Sequence, residues 1–251
     1  MSIVEAIAIT VLGLIIGMGV NHLSSVLPYL RSGSLIHHPI CLWCHNTISW
    51  RTFVFLAQCS RCHRYPRLRI WLVLLGYPVL LWVLRLIPAS RISWWLGVIT
   101  LAYFGLVAVM DFEHRIILNP ISITGAILGL GTGWYLHGLP KTLLGGIAGY
   151  ATMFILYYLG IAFSRLVTKM RNQPLDEVAL GFGDVNLGGV LGLYLGWPGI
   201  TAGLLLAIIL GGSFSLFVIL YRLITHKYQM FMAIPYAPFL LLGATLLLFR
   251  P

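Results

Sequence analysis

The stretch "ALGFGDVNLGGVLGLYLGW", residues 179–197, joins a long apolar run to a single acidic residue, Asp184. The whole chain has 251 residues, of which 59% are hydrophobic and 9% are charged, whereas a soluble domain carries about 25% charged residues. Apolar runs of roughly 18 or more residues recur on both sides of this stretch, which is the pattern of membrane-spanning helices. The sequence therefore predicts an all-α, polytopic membrane protein.

Eight apolar segments can be drawn along the chain as candidate spans. They cover residues 3–23, 70–88, 92–110, 121–138, 142–163, 185–197, 199–221 and 231–249. The sixth is short and glycine-rich, as expected for a tilted or re-entrant helix enclosed by protein. The first lacks a basic start and a cleavage site, so we interpret it as a span and not as a signal peptide. We divide the chain into residues 1–69, with the first span and a cysteine-containing loop, and residues 70–251, the remaining bundle.

The formal charge of +10 is unevenly distributed between the loops. Twelve of the sixteen lysines and arginines fall in the segments 24–69, 111–120, 164–184 and 222–230. Basic residues collect in cytoplasmic loops, so we expect these segments in the cytoplasm, both termini outside, and the protein in the cell's inner (plasma) membrane. Since topology accounts for the charge, we expect the lipid bilayer and not nucleic acid as the chain's surroundings.

A second aspartate, Asp111, ends the third segment in "VAVMDFEHRIILNP", at the same predicted membrane level as Asp184. Ionisable groups at membrane depth are costly and are functional candidates by default. Two neighbouring carboxylates share a proton, so one can accept a proton from water while the other polarises a carbonyl, as in aspartic proteases. Gly181 and Gly183 would let an extended peptide approach Asp184 closely.

Other interpretations of the aspartates remain open at this point. Asp184 could cap the helix that follows it, and Asp111 could pair with His114 or Arg115 at the membrane interface. The third aspartate, Asp176, lies in the polar stretch "RNQPLDEVAL" and is expected to be solvated. The alternative function of another class is a multispan transporter or channel that uses Asp111 and Asp184 as proton or ion sites.

A cysteine cluster lies in the first predicted cytoplasmic loop. Its two CxxC pairs are Cys41 with Cys44 and Cys59 with Cys62. This arrangement predicts a structural zinc site, because each pair can offer two thiolates to one tetrahedral ion. Two disulfides or four inert thiols are the alternatives, although disulfides are rare in the cytoplasm. His45 and His63 follow the two pairs, and we interpret them as loop residues and not as ligands.

Three motifs in order resemble those of the prepilin peptidases (type IV leader peptidases), which are GxGD intramembrane aspartic proteases. They are "DFEHRIILN" at 111–119, "GFGD" at 181–184, and "IPYAPFL" at 234–240, similar to the "IPFGPFL" of that family. The family also has a tetracysteine motif in its first cytoplasmic loop. The resemblance covers essentially the whole chain.

This resemblance implies an aspartic endopeptidase that removes the short basic leader from type IV prepilins or pseudopilins, after a glycine and on the cytoplasmic side. A prepilin membrane protein is then the expected partner. Asp111 and Asp184 would be the catalytic pair. Gly181, Gly183 and Asn119 would shape the approach of the substrate.

The chain departs from the family pattern at several positions. Leu118 replaces a proline after the first aspartate, and Asn186 replaces a frequent lysine after the second. Family members often N-methylate the new N-terminus with S-adenosylmethionine, but here no acidic residue lies between Glu5 and Asp111. We therefore expect S-adenosylmethionine as a cofactor only if methyl transfer is retained. An inactive family member that acts as a scaffold is a further alternative.

Overall fold

A computed structural model of the protein describes residues 2–29, 38–87, 92–171, 181–225 and 235–250. The regular elements of these residues are helices, with one isolated antiparallel bridge between Ile40 and Thr47. A 3-10 turn, Leu27–Tyr29, follows the first helix. The helices are α1 (Ile3–Val26), α2 (Trp50–Val54), α3 (Leu68–Leu86), α4 (Trp94–His114), α5 (Asn119–His137), α6 (Leu139–Arg171), α7 (Phe182–Leu195), α8 (Gly199–Ile224) and α9 (Ala237–Leu248).

The prediction of a polytopic helical membrane protein is confirmed. Each of the eight predicted segments corresponds to a helix, and α2 is a short addition in the cysteine-containing loop. Within the part of the chain that the structure describes, five helices are long and apolar enough to cross a membrane, namely α1, α3, α4, α6 and α8. The number of eight spans stays a prediction, since α9 is a shorter apolar helix and α7 has only 14 residues. Asp176 lies outside the described residues.

The described residues pack as two compact units, with residues 2–29, 38–87 and 93–109 in the first and residues 92, 110–171, 181–225 and 235–250 in the second. In the first unit α1 packs along α3, and Gly13 lets the backbone of α1 approach Pro78 closely. The side-chain amide of Asn21 donates to the Ile70 carbonyl at 3.0 Å, and Arg85 pairs with Glu5 at the other end of the two helices. The division at residue 69 stays a prediction about domains.

In the second unit α7 lies between α5 and α6, and most of its residues are buried. The backbones of α6 and α7 are in direct contact at Gly145 and Gly192. A Cβ on either glycine would overlap the carbonyl group of the other. One turn further on, a Cβ on Gly149 would overlap the Gly188 carbonyl, and a Cβ on Gly188 would overlap the Met153 side chain. The glycines of the sixth segment therefore allow a helix to be enclosed by its neighbours, as small residues do at membrane helix interfaces.

We expect Gly192→Ala to destabilise the second unit, because the added Cβ would overlap the backbone of Gly145. The cost should be about 1–3 kcal/mol, typical of overpacking, and should appear as a lower midpoint of thermal unfolding in detergent. Gly131→Ala in α5 is the matched control, since nothing lies within 4 Å of a Cβ at that position. Equal midpoints for the two variants would contradict this account of the packing.

Candidate active site and cysteine cluster

Asp111 lies in the last turn of α4. The helix ends at His114, and Arg115 takes a left-handed conformation, with φ 53, that stops it. The N–H of Arg115 donates to the carbonyl of Asp111 at 2.9 Å. An extended segment then leads to Leu118, the N-cap of α5. Asp111 is thus fixed by a helix and not by a loop, and only 6% of its surface is exposed.

Asp184 lies in the first turn of α7 and is half-buried. Its Oδ2 accepts a hydrogen bond from the Gly181 N–H at 3.2 Å, and its own N–H donates to the Gly181 carbonyl at 3.1 Å. The side chain therefore caps the helix, although from the third helical position and not from the N-cap itself. This contact fixes the carboxylate at the start of the buried helix.

The structure brings the two aspartates together within the second unit. The carboxylates of Asp111 and Asp184 lie close enough to interact electrostatically. The Ala237 N–H at the start of α9 and the Arg115 guanidinium both act on the Asp111 carboxylate and favour its ionised form. Its Oδ2 is buried without a hydrogen-bond partner among the described residues. A buried polar atom of this kind calls for a water or a shared proton.

The two glycines of the "GFGD" motif differ in their surroundings. A Cβ on Gly183 would lie 3.0 Å from the Cβ of Ile117, in the segment between α4 and α5. Gly183 thus permits the close approach of the two elements that carry the aspartates. A Cβ on Gly181 would lie 3.6 Å from the Asp184 carboxylate and 4.0 Å from the Gly183 nitrogen, both ordinary contact distances.

Other candidate residues lie around the pair. Asn119 is exposed at the first position of α5, and its role in shaping the site stays a prediction. Tyr236 and Ala237, which adjoin the pair where α9 begins, were not predicted as site residues from the sequence. The signal that could have found them is the spacing of Pro235 and Pro238, since proline favours the first turn of a helix.

The four cysteines, which belong to the first unit, form one cluster. Their sulfur atoms all lie within 4.8 Å of one another, and the thiols are free and not paired in disulfides. The Sγ of Cys41 is 3.7 Å from that of Cys62, and the Sγ of Cys44 is 3.8 Å from that of Cys59. A zinc tetrahedron with Zn–S bonds of about 2.3 Å has S···S edges of about 3.8 Å. The donors therefore fit a structural zinc ion.

Each cysteine pair sits in the same backbone turn. In the first, the His45 N–H donates to the Cys41 carbonyl at 2.9 Å, and in the second the His63 N–H donates to the Cys59 carbonyl at 2.9 Å. His45 and His63 both have positive φ, 55 and 51. These histidines therefore serve the turns by their backbone conformation, in keeping with their interpretation as loop residues.

Contacts between side chains join the two turns. The indole N–H of Trp43 donates to the Tyr65 carbonyl at 2.9 Å, and the guanidinium groups of Arg64 and Arg67 lie over the Trp43 ring at 4.8 and 4.5 Å.

The surroundings of the cysteines change the pKa values of two thiols. Hydrogen bonds from the backbone N–H and the side chain of Asn46 lower the pKa of the Cys44 thiol to about 6. Burial raises the pKa of the Cys41 thiol to about 11.

Comparison with known proteins agrees with this architecture. Residues 95–216 match the type IV leader peptidase family. Relatives named prepilin leader peptidase/N-methyltransferase occur in several bacteria. The protein from Klebsiella pneumoniae is 27% identical over 66% of this chain and 72% of the relative. The protein from Pseudomonas putida is 25% identical over 80% of this chain and 67% of the relative, and that from Aeromonas salmonicida is 28% identical over 73% of this chain and 59% of the relative. The chain thus spans about three fifths to three quarters of the length of these relatives. No solved structure gives a significant match.

The fold and the site together define a polytopic helical membrane protein with two aspartates held near each other in one compact unit. The segment that contains both aspartates, residues 95–216, matches the type IV leader peptidase family. This match, together with the bacterial relatives of 25–28% identity, supports a membrane protease that is similar to that family. The cysteine cluster lies outside the matched segment.

We expect Gly183→Ala to lower peptidase activity about tenfold, because displacing Ile117 shifts the aspartates relative to each other and small misplacements are costly. Gly181→Ala is the matched control and should retain activity close to that of the unaltered protein, since its Cβ finds ordinary space. Initial cleavage rates at equal protein concentration would test both. Equal losses in the two variants would contradict the role assigned to Gly183.

The cysteine cluster should hold one zinc ion per chain, measurable by elemental analysis of the purified protein. Cys44→Ser should lose the metal, because a serine hydroxyl replaces a thiolate ligand. His45→Gly should keep it, because glycine readily adopts the positive φ found there. Loss of zinc in the glycine variant would instead make His45 a ligand.

Proposed function

We propose that the protein is an aspartic endopeptidase that cleaves the leader peptide from type IV prepilins or pseudopilins. The observation that carries the proposal is the proximity of Asp111 and Asp184, in a chain with only six acidic residues. Both aspartates lie in the segment that matches the leader peptidase family. The names of the bacterial relatives state prepilin leader peptidase activity, which supports the choice of substrate.

The chemistry requires a water molecule between the two carboxyl groups. The ionised carboxylate accepts a proton from this water as the water oxygen bonds to the peptide carbonyl carbon. The protonated carboxyl gives its proton to the carbonyl oxygen, so that a neutral tetrahedral intermediate forms. The intermediate then breaks its C–N bond as a proton passes to the amine, which yields the leader with a new carboxyl end and the mature protein with a new N-terminus.

The cytoplasmic side of the membrane is the proposed site of cleavage. Asp111 immediately precedes a segment that contains Arg115, and Asp184 follows one that contains Arg165 and Lys169. Basic segments of this kind favour the cytoplasmic face. The substrate would reach the aspartates as a membrane protein, with its basic leader in the cytoplasm and its apolar helix in the bilayer.

Methyl transfer is not part of the proposal, although the relatives' names include it. The cavity beside the cysteines has a volume of about 30 Å³, whereas pockets that hold small molecules or cofactors measure roughly 300–1,000 Å³. Arg64 and Arg67 contribute to its lining, and their positive charge opposes the sulfonium of S-adenosylmethionine. The described residues of this loop therefore do not fit that cofactor.

The first test compares cleavage of a co-expressed prepilin by the unaltered protein, Asp111→Asn and Asp184→Asn. Each substitution should lower kcat/KM by about a thousandfold or more, because an amide neither accepts nor shares the proton. Unchanged unfolding midpoints would show that the variants remain folded. Cleavage that survives either substitution would contradict the aspartic mechanism.

Glu113→Gln is the matched control for loss of a negative charge. Residues two apart on a helix do not face each other, so Glu113 is directed away from the face of α4 that carries Asp111. This variant should cleave at the unaltered rate.

The alternative function is that of a transporter or channel, and it is tested if no form of the protein cleaves. It predicts proton or ion flux in reconstituted vesicles that Asp111→Asn abolishes.

A further inference from the structure

The short helix α2 turns one face, its inner face, toward the cysteine-containing loop. Thr52, Phe53 and Leu56 line the cavity beside the cysteines, and Phe53 is buried. Leu56 takes a left-handed conformation, with φ 52, that ends the helix. The inner face therefore packs on the loop itself, and the chain continues from it to the second cysteine pair, which begins at Cys59.

The opposite, outer face of α2 consists of Trp50, Arg51, Val54 and Phe55, and it is exposed and largely apolar. Residues three or four apart on a helix are neighbours on its surface, so Trp50 lies beside Val54, and Arg51 lies beside Phe55. Trp50, Val54 and Phe55 are 46%, 42% and 80% exposed, and Arg51 is exposed as well. Single exposed apolar side chains are ordinary on a protein surface. Three of them beside a basic residue on one helical face are typical of helices that lie in a membrane interface.

Contacts with α1 place α2 at the level of the membrane surface. The centroid of the His22 ring lies 4.7 Å from that of Trp50 and 5.9 Å from that of Phe53. His22 is about one turn before the end of α1. The 24 residues of α1 make a helix of roughly 36 Å, whereas the hydrocarbon core of a bilayer is about 30 Å thick. The end of α1 therefore reaches the lipid headgroups, and α2 lies beside it at that level.

The charge of this part of the chain is complementary to an anionic partner. Residues 27–67, between α1 and α3, contain five arginines and no acidic residue. Glu5, the acidic residue before this segment, pairs with Arg85 at the other end of α1 and α3. The next acidic residue, Asp111, belongs to the second unit. A zinc ion with four thiolates would bring only two negative charges. Lipid phosphates supply further negative charge at the level where α2 lies.

We infer that α2 is an interfacial anchor, whose outer face lies among anionic lipids at the membrane surface where α1 ends. Val54 and Phe55 insert at the boundary between headgroups and acyl chains, where apolar side chains leave water. Trp50 takes the interfacial position that tryptophan favours, and the Arg51 guanidinium binds lipid phosphate through its planar set of donors. The cysteine cluster is thereby held against the membrane. Binding of lipid by α2 is independent of the proposed peptidase function.

Hydrogen exchange of the whole chain in lipid nanodiscs tests this anchor. A helix of five residues is only marginally stable in water, so exchange of the amides of residues 54–57 responds to what covers the outer face. These amides should exchange about fivefold more slowly in nanodiscs of phosphatidylglycerol than in nanodiscs of phosphatidylcholine, the effect of one arginine at an anionic surface. Arg51→Gln should abolish this difference.

Arg61→Gln is the matched control, because it removes the same charge from the same loop. Arg61 donates to the side-chain oxygen of Asn46 at 2.6 Å, within the cysteine-containing loop and not on α2. This variant should keep the difference between the two lipids. Equal exchange of the unaltered protein in both lipids, or an equal loss of the difference in both variants, would overturn the inference.

A photoreactive side chain gives a second readout that leaves every charge in place. With p-azidophenylalanine at residue 55, irradiation in phosphatidylglycerol nanodiscs should join the protein to a phospholipid, and mass spectrometry would identify the adduct. The same side chain at residue 53 is the matched control and should react with protein only, because Phe53 is buried on the inner face. If residue 55 gives no lipid adduct, or if residue 53 gives an equal yield, the outer face does not lie in lipid and the inference is wrong.

Discussion

The backbone packing of α7 against α6 is the constraint on which the site depends. Gly145 and Gly192 meet without side chains between them, so α7 can lie between two neighbours with almost no exposed surface. A helix enclosed in this way has a fixed position and rotation, because any movement would open voids or force overlap. The position of Asp184 is therefore also fixed, because Asp184 directly precedes the buried part of the helix. α7 has 14 residues and ends at Leu195, where Gly196 takes a positive φ of 63.

Structural and chemical roles for Asp184 are compatible in this site. One carboxylate oxygen binds the Gly181 N–H and closes the first turn of α7. The same carboxylate interacts with Asp111 across the unit. Capping fixes the orientation of the carboxylate, so in the proposed mechanism it needs no rearrangement when a substrate binds. Preorganisation of this kind is a recurrent source of catalytic efficiency.

Much of the fold was predictable from hydropathy, because every apolar segment formed a helix. The proximity of the aspartates was only a hypothesis in the sequence, since 72 residues lie between Asp111 and Asp184 and no local rule joins them. Two features could not be read from the sequence at all. The contact of Gly183 with Ile117 depends on packing between distant segments, and the amide of Ala237 has no signature because it belongs to the backbone.

Unlike the proximity of the aspartates, the cysteine cluster could be predicted from the sequence. CxxC spacing alone predicted that four thiols would meet, because each pair is local and only one long-range contact is needed. The positive φ of His45 and His63 was harder to predict from the sequence, because a left-handed backbone conformation leaves no pattern beyond the residue type. Histidine is one of the few side chains that occur in this region with some frequency.

The cap formed by Asp184 also limits how this protein can diverge. Asparagine can accept the same hydrogen bond from Gly181 through its amide oxygen, whereas alanine or leucine would leave the first turn of α7 open. A gene copy released from selection for proteolysis, but still selected for a folded membrane protein, would therefore tolerate asparagine at this position far better than an apolar residue. The residue found there in a lineage would record whether folding or chemistry had been under selection.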